Sequence, residues 1–419
     1  MRNTNKKGFT IVELVIVIAV IAILSAVLIP TFAGIIDRAN QSADQQAVAN
    51  MNKLLAMNDK ADDVDGVIEI LVKEGYKGDL STYFKGYKLA WLASENVIVL
   101  VEGDAVVYPK ANAGATGYEE INPMASSVED VLNALVNGGS IYVSDNIEAS
   151  SANDFAFSEG KEYKIVLNGN KLFTNVANTN RGYKDGIVAD GSAIVIISDG
   201  TVEGGSEVEQ AVAAYGNSKL TIENSVVTGG SAIAVLAEAG GTVTIKDSVV
   251  HGNGINPVQA YGGTLILENV TIVQSGENPD RESWYDSAIQ VANTIEMVNG
   301  AWKFMGNDAF LVVDGGNYTG KVALQINSPG GNVIINDGVF TGSNGKAING
   351  GVSSYTAEGA ECSITINGGT FNGNITVTAD TELVINGGTF NCDTMTWDWL
   401  SQFVTAGKTV VLNGTSYTK

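Results

Sequence analysis

The sequence predicts a mainly β chain: a long N-terminal α-helix, a small α/β head at its far end, then a stack of short strands filling the C-terminal two thirds. Three observations predict it. An apolar run near the N-terminus passes into a stretch whose apolar residues recur every three or four positions. Gly is abundant, at 49 of 419 residues, with only 6 Pro and 7% aromatics, a composition suited to strands and turns. From residue 165 onward an eight-residue pattern returns repeatedly.

Charge narrows the function classes. With 46 acidic against 24 basic side chains and a formal charge of -22, the surface repels polyanions, so nucleic acid is excluded as a partner. Cys362 and Cys392 are the only cysteines; they are too few for a disulfide framework and lack zinc spacing. No cofactor or metal is expected.

The first element opens with "KKGFTIVELVIVIAVIAILSAVLIP", residues 6–30. Its apolar part, residues 14–30, is about as long as a membrane-spanning helix. Arg2, Lys6 and Lys7 precede it, and positive charge stays cytoplasmic, so a single pass leaves the rest of the chain outside the cell. Glu13 is the anomaly, because a carboxylate at the centre of a membrane helix costs roughly 2.5 to 3.5 kcal/mol. It needs a partner.

Lys6-Lys7-Gly8 followed by Phe9-Thr10-Ile11-Val12-Glu13 resembles a type IV prepilin leader. The resemblance implies that a prepilin peptidase cuts after Gly8 and that the new terminal Phe9 is methylated. It also implies that Glu13 pairs with the terminal ammonium of a neighbouring pilin-like subunit, which supplies the missing partner. Pro30 fits as well, since pilin helices often carry a proline at this depth, where the lost hydrogen bond kinks the rod. On this reading residues 1–8 are the leader and 9–58 the helix, with its membrane half at 9–30.

Beyond the membrane, Phe32, Ile35, Ile36, Ala39, Ala43, Ala47, Met51, Leu54 and Leu55 mark one face of an amphipathic helix. Residues 59–111 supply what that face packs on. A short helix from Val64 closes at Gly75, and "YKLAWLASENVIVLVEGDAVVYP" reads as two or three antiparallel strands turning at Ser94-Glu95-Asn96 and Gly103-Asp104. A long helix on a small antiparallel sheet resembles a pilin head. Residues 112–126, including "NAGATGYEEINP", have no periodicity and read as a linker.

Residues 127–419 are a repeat. "IVLNGNKL", "VIISDGTV", "LTIENSVV", "VTIKDSVV", "LILENVTI", "IEMVNGAW", "LVVDGGNY", "VIINDGVF", "ITINGGTF", "LVINGGTF" and "VVLNGTSY" share one template: apolar, any, apolar, polar, Asn/Asp/Gly, small, any, large apolar. They recur about every 25 residues. Shorter strands such as "QAVAAYG", "SAIAVLA", "SAIQVA" and "VALQIN" lie between them. Strands this short bury nothing alone but can stack into a continuous core. The pattern resembles a right-handed parallel β-helix of the pectate-lyase-like kind. Val128, Val131, Leu132 and Leu135 give an N-terminal capping helix, and "TMTWDWLSQFVTAG" a C-terminal cap.

The template predicts two columns. Its last position, Leu172, Val202, Val227, Val250, Ile272, Trp302, Tyr318, Phe340, Phe371, Phe390 and Tyr417, reads as an interior stack, because its flanks are small or polar. The turn position, Asp199, Asn224, Asp247, Asn269, Asn299 and Asp337, reads as a ladder of hydrogen-bonded side chains.

Two function classes compete. One is a cell-surface, minor or tip pilin-like subunit displaying the β-helix for adhesion, to an extracellular glycan or a host or neighbour surface. The other is a surface-anchored polysaccharide lyase or glycosidase on the same fold. A lyase needs a basic residue beside calcium-binding aspartates, and a hydrolase needs paired carboxylates. Asp199 and Asp247 are two coils apart, about 10 Å, with Asn224 between them. No catalytic residue is assigned. Candidate binding residues lie in two long insertions, "TNVANTNRGYKD" and "QSGENPDRESWYD", at the same turn about four coils apart. They hold the only arginines of the repeat, Arg181 and Arg281, with Tyr183, Trp284 and Tyr285. Rigid aromatics beside a planar cation suit sugar rings or a protein partner; equally, those aromatics can tuck back against the coil.

Overall fold

The computed structural model describes residues 11–74, 87–121, 124–125, 127–136, 138–149, 151, 155–158, 160–176, 184–252, 256–275, 286–298, 301–304, 308–327, 331–352, 362–379 and 381–419. The chain forms two compact units, Met1–Pro123 and Met124–Lys419.

In the first unit, α1 (Ile11–Ala56) continues through Pro30 without a break. Its last turns bury Val48, Met51 and Leu55, one stripe at helical spacing. α2 (Val64–Lys73) contributes Val67, Ile68 and Leu71 from its own buried face. The sheet is antiparallel, with β1 (Lys88–Leu92), β2 (Val97–Glu102), β3 (Ala105–Tyr108) and β4 (Glu119–Glu120) in the order β3-β2-β1-β4. Asn52 of α1 reaches the backbone of Ile98. Its amide donates to the Ile98 carbonyl at 2.9 Å and accepts from the Ile98 N–H at 2.6 Å. Both turns fall where the sequence put them, and Asn96 takes a left-handed φ of 54°. β4 lies inside the segment expected as a linker; it pairs with β1, and Ile121 donates to the Leu89 carbonyl at 2.8 Å.

In the second unit, strands pair in parallel with those one coil away in a 26-stranded sheet, the pairing that successive coils of a parallel β-helix make. Three faces result. Face one holds the template's first half, including Ile194–Ser198, Lys219–Glu223, Thr242–Lys246 and Cys362–Ile366. Face two holds its second half, including Thr201–Gly204, Val226–Thr228, Val249–Gly252 and Thr389–Asn391. Face three holds the intervening strands Asp185–Ala189, Gln210–Tyr215, Ile233–Glu238, Val258–Tyr261 and Ser287–Ala292.

Each face sends in-register columns into the core. On face one Ile165, Ile197, Ile222, Ile245, Leu267, Val313, Ile335, Ile366 and Ile385 follow one another in register. On face two the column runs Leu172, Val202, Val227, Val250, Ile272, Tyr318, Phe340, Phe371 and Phe390, all fully buried. The rings at its end sit 4.8, 5.2 and 5.1 Å apart from Tyr318 to Phe390. That is close to the strand spacing of about 4.8 Å, so the backbone repeat sets the ring stacking.

Two expected members of this column are elsewhere. Ile272 pairs directly with Tyr318, because Trp302 belongs to an antiparallel hairpin, Ile295–Val298 with Ala301–Phe304, that leaves the stack between coils. Tyr417 lies on Thr415–Thr418, antiparallel to Thr409–Leu412; Leu412 follows Phe390 instead, and Tyr417 stacks on Trp397 at 4.8 Å. Alternating apolar residues look alike in a coil strand and in a hairpin strand, which is why the template caught both.

In its first half the turn column shares one backbone conformation, with one of the expected side-chain bonds shown. Asp199, Asn224, Asp247 and Asn269 all have left-handed φ of 44° to 60°, which Asn and Asp tolerate, and Asn269 donates to Asp247 at 2.7 Å. Asp337 does not join it, since Gly338 takes the positive φ there; Asn299 lies outside the described residues. From Asp314 on, the ladder moves one position earlier. Asn336 donates to Asp314 at 2.6 Å, Asn367 to Asn336 at 2.8 Å and Asn386 to Asn367 at 2.8 Å.

Both ends are closed. α3 (Val128–Leu135), N-capped by Ser127, buries Val131 and Leu135 in the core cluster. α4 (Trp397–Leu400), capped by Thr396, buries Leu400, and Val404 bridges to Ile385. Cys362 and Cys392 are buried free thiols.

Candidate functional site

None of the candidate processing, assembly or binding side chains falls within the described residues. Gly8 and Phe9 precede them; Glu13 lies on α1, but its side chain is outside them; Arg181, Tyr183, Arg281, Trp284 and Tyr285 lie in segments 177–183 and 276–285. The flanks of those segments are described. Lys171–Thr174 on face two precedes the first, and Asp185–Ala189 on face three follows it. Thr264–Gln274 precedes the second, and Ser287–Ala292 follows it. Both insertions therefore leave from the turn between faces two and three. Registers from Phe173 through Glu203, Thr228 and His251 to Val273 separate them by four coils.

Face three, where both insertions end, is buried on its outer as well as its inner side. Its outward side starts apolar, with Val188, Ala213, Tyr215 and Leu236. It then turns to amides, and in register Leu236 is followed by Gln259, Gln290, Gln325, Asn349 and Thr376. Gln259 and Asn256 both donate to the Gln290 oxygen, at 2.7 and 3.0 Å. Asn349 donates to Gln325 at 2.8 Å and accepts from Thr376 at 2.7 Å. These bonds satisfy polar groups that would otherwise cost about 1 to 3 kcal/mol each when buried. Two carboxylates sit at the start of the same face. Asp185 accepts from the Tyr215 hydroxyl at 2.9 Å, and Asp286, 2% exposed, pairs with Lys321 at 2.7 Å. The amide column was missed in the sequence, although its signal was present as the lone Gln in "SAIQVA" and "VALQIN". Among the described residues no group of His, Cys, Asp and Glu could hold a metal ion.

The comparisons bear on the other end of the chain. Residues 3–29 match the family model of the prokaryotic N-terminal methylation motif. This is the prepilin-type segment that carries Gly8, Phe9 and Glu13, and it implies processing by a prepilin peptidase, pilin-like assembly and a membrane-anchored or pilus surface protein. No curated protein and no solved structure matches the chain. Among the described residues no helix is long and apolar enough to cross a membrane; most side chains of residues 14–30 lie outside them.

Proposed function

We propose that this chain is a minor or tip subunit of a type IV pilin-like system that holds a β-helix on the cell surface for adhesion. The observation that carries the reading is the methylation motif over residues 3–29. Cleavage after Gly8 and methylation of Phe9 free the N-terminus, the helix over 9–30 anchors the subunit, and Glu13 meets the terminal ammonium of a neighbour. A unit running from Met124 to Lys419 is bulky for every position of a dense filament, which favours minor or tip status. The stack is a right-handed, pectate-lyase-like β-helix on this reading, since parallel crossovers are right-handed in roughly 98% of cases. Its binding partner is an extracellular glycan or a host or neighbour surface, met by Arg181, Tyr183, Arg281, Trp284 and Tyr285.

The non-enzymatic reading is supported by the use of Asp247, whose carboxylate accepts from Asn269 within the turn ladder. A lyase or glycosidase would release unsaturated or reducing ends from an acidic polysaccharide, with or without calcium. Two substitutions test display. Glu13→Ala should leave the protein in the membrane fraction and deplete it from sheared filaments; unchanged filament content would remove the assembly role. Replacing Arg281, Trp284 and Tyr285 together by Ala should abolish glycan-array binding with a melting temperature within a few degrees of the parent, and surviving binding would move the site elsewhere.

A further inference from the structure

The C-terminal half of face one presents an outward surface that the display reading leaves unused. Successive strands there begin at Phe310, Asn332, Cys362 and Thr381. Their central outward positions form a column in register, Val312, Ile334, Thr365 and Val384. Ile334 is 42% exposed, while Val312, Thr365 and Val384 are partly buried; Phe310, in register with Asn332 beside the column, is 43% exposed.

Polar rails border the column on both sides. One is the hydrogen-bonded run of Asn336, Asn367 and Asn386, exposed at its first two members and closed by Thr405, which donates to Asn386 at 2.7 Å. The other runs in register through Phe310, Asn332, Ser363 and Glu382, with Asn332 and Ser363 joined at 2.6 Å and the Glu382 carboxylate exposed at its end. Each ladder amide uses one N–H and one oxygen lone pair along the rail, so each keeps a donor and an acceptor for a ligand. The same face is built differently one coil group earlier. There the rail position carries Glu223, Lys246 and Glu268, with Lys246 and Glu268 paired at 3.0 Å. The ions end at Asp314, which follows Glu268 in register and accepts from Asn336; from Asn336 on this rail carries neutral amides.

A strip with a C–H-compatible centre and hydrogen-bonding groups along its edges complements a sugar ribbon, whose ring faces are apolar and whose hydroxyls line both edges. Rungs repeat about every 4.8 Å, on the scale of one sugar residue. The amide rail is neutral between Asn336 and Asn386, the carboxylates of Asp314 and Glu382 border the strip, and the chain as a whole carries -22, so an anionic polymer is repelled. We infer that this half of face one binds a neutral, extended, ribbon-like polysaccharide lying along the stack axis. The inference rests on the display reading and names its ligand class and surface.

The test is sedimentation of the full mature chain, in detergent, with microcrystalline cellulose or chitin, and with soluble polygalacturonate as competitor. The chain should be retained on at least one polymer, and polygalacturonate should not displace it. Ile334→Asp should lower retention at least tenfold with the melting temperature within a few degrees of the parent. Thr365→Lys, on the same column, should do the same and guards against a folding defect in the first variant. Absence of retention on both polymers, or retention that survives both variants, overturns the assignment. If retention survives them but is lost on replacing Arg281, Trp284 and Tyr285, the display reading stands and face one is the wrong surface. A dimer dissolved by Ile334→Asp, without polymer retention, would make this face an interface between copies and also overturns it.

Discussion

The ring of Phe371 lies over that of Phe390, with centroids 5.1 Å apart and planes 11° from parallel. Each ring is fully buried, and each occupies the same template position one coil apart. Phe371→Ala or Phe390→Ala should therefore cost roughly 3 to 5 kcal/mol, the usual loss for truncating a buried aromatic. Tyr417→Ala, which removes a partly buried ring stacked on Trp397, should cost about 0.5 to 1.5 kcal/mol. Urea denaturation of the three variants orders them; equal losses would return Tyr417 to the core column.

Asn52 satisfies both backbone groups of fully buried Ile98. Asn52→Leu should leave those groups without their partner at a cost of about 1 to 3 kcal/mol. Hydrogen exchange should quicken in Val97–Glu102 while Cys362–Ile366 keeps its protection. Unchanged exchange at Ile98 would mean that water replaces the amide without penalty.

Asn367 donates to Asn336 and accepts from Asn386 on the exposed rail. Asn367→Ala should cost about 1 kcal/mol, the net worth of ordinary hydrogen bonds that water can partly replace. A loss of several kcal/mol by denaturant titration would show that the ladder acts cooperatively.

Burial pushes the Tyr318 hydroxyl well above its usual range, with Asp314 adding to the shift, and burial likewise raises the Cys362 thiol. Both groups are neutral when protonated, so the folded chain keeps these protons to higher pH than the unfolded chain does. Above about pH 8.5 for the thiol and about pH 10 for the phenol, the unfolded state binds fewer protons. Stability therefore falls as pH rises through that window and on toward the folded-state values, while below it neither group contributes to the slope. Tyr318→Phe also loses the 2.6 Å bond to the Gly315 carbonyl, but it should flatten the decline above about pH 10. An unchanged alkaline slope, read from urea midpoints, would mean that Tyr318 ionises freely in the fold.

Much of this architecture could be read from the chain because its period is physical. Apolar alternation fixes which side chains enter the core, and Asp199, Asn224, Asp247 and Asn269 mark a turn that needs left-handed φ. The two misplaced aromatics share one cause. Trp302 and Tyr417 sit in strings that match the template, yet their strands pair antiparallel with their own neighbours, and eight residues of alternation cannot reveal a pairing partner. β4 escaped notice because a two-residue strand has no period at all. The ladder's one-position shift at Asp314 follows from Gly315 and Gly316, whose positive φ of 82° and 96° takes over the turn and leaves the preceding polar residue to stack. The candidate binding arginines and aromatics belong to insertions that the repeat does not constrain, so sequence order fixes their turn and nothing more.

Mass spectrometry of the mature protein purified from its own cell envelope tests the pilin-like reading most directly. The N-terminal peptide should begin at Phe9 and carry one added methyl group. A mature chain that still begins at Met1, or one cut behind the apolar run, would contradict it.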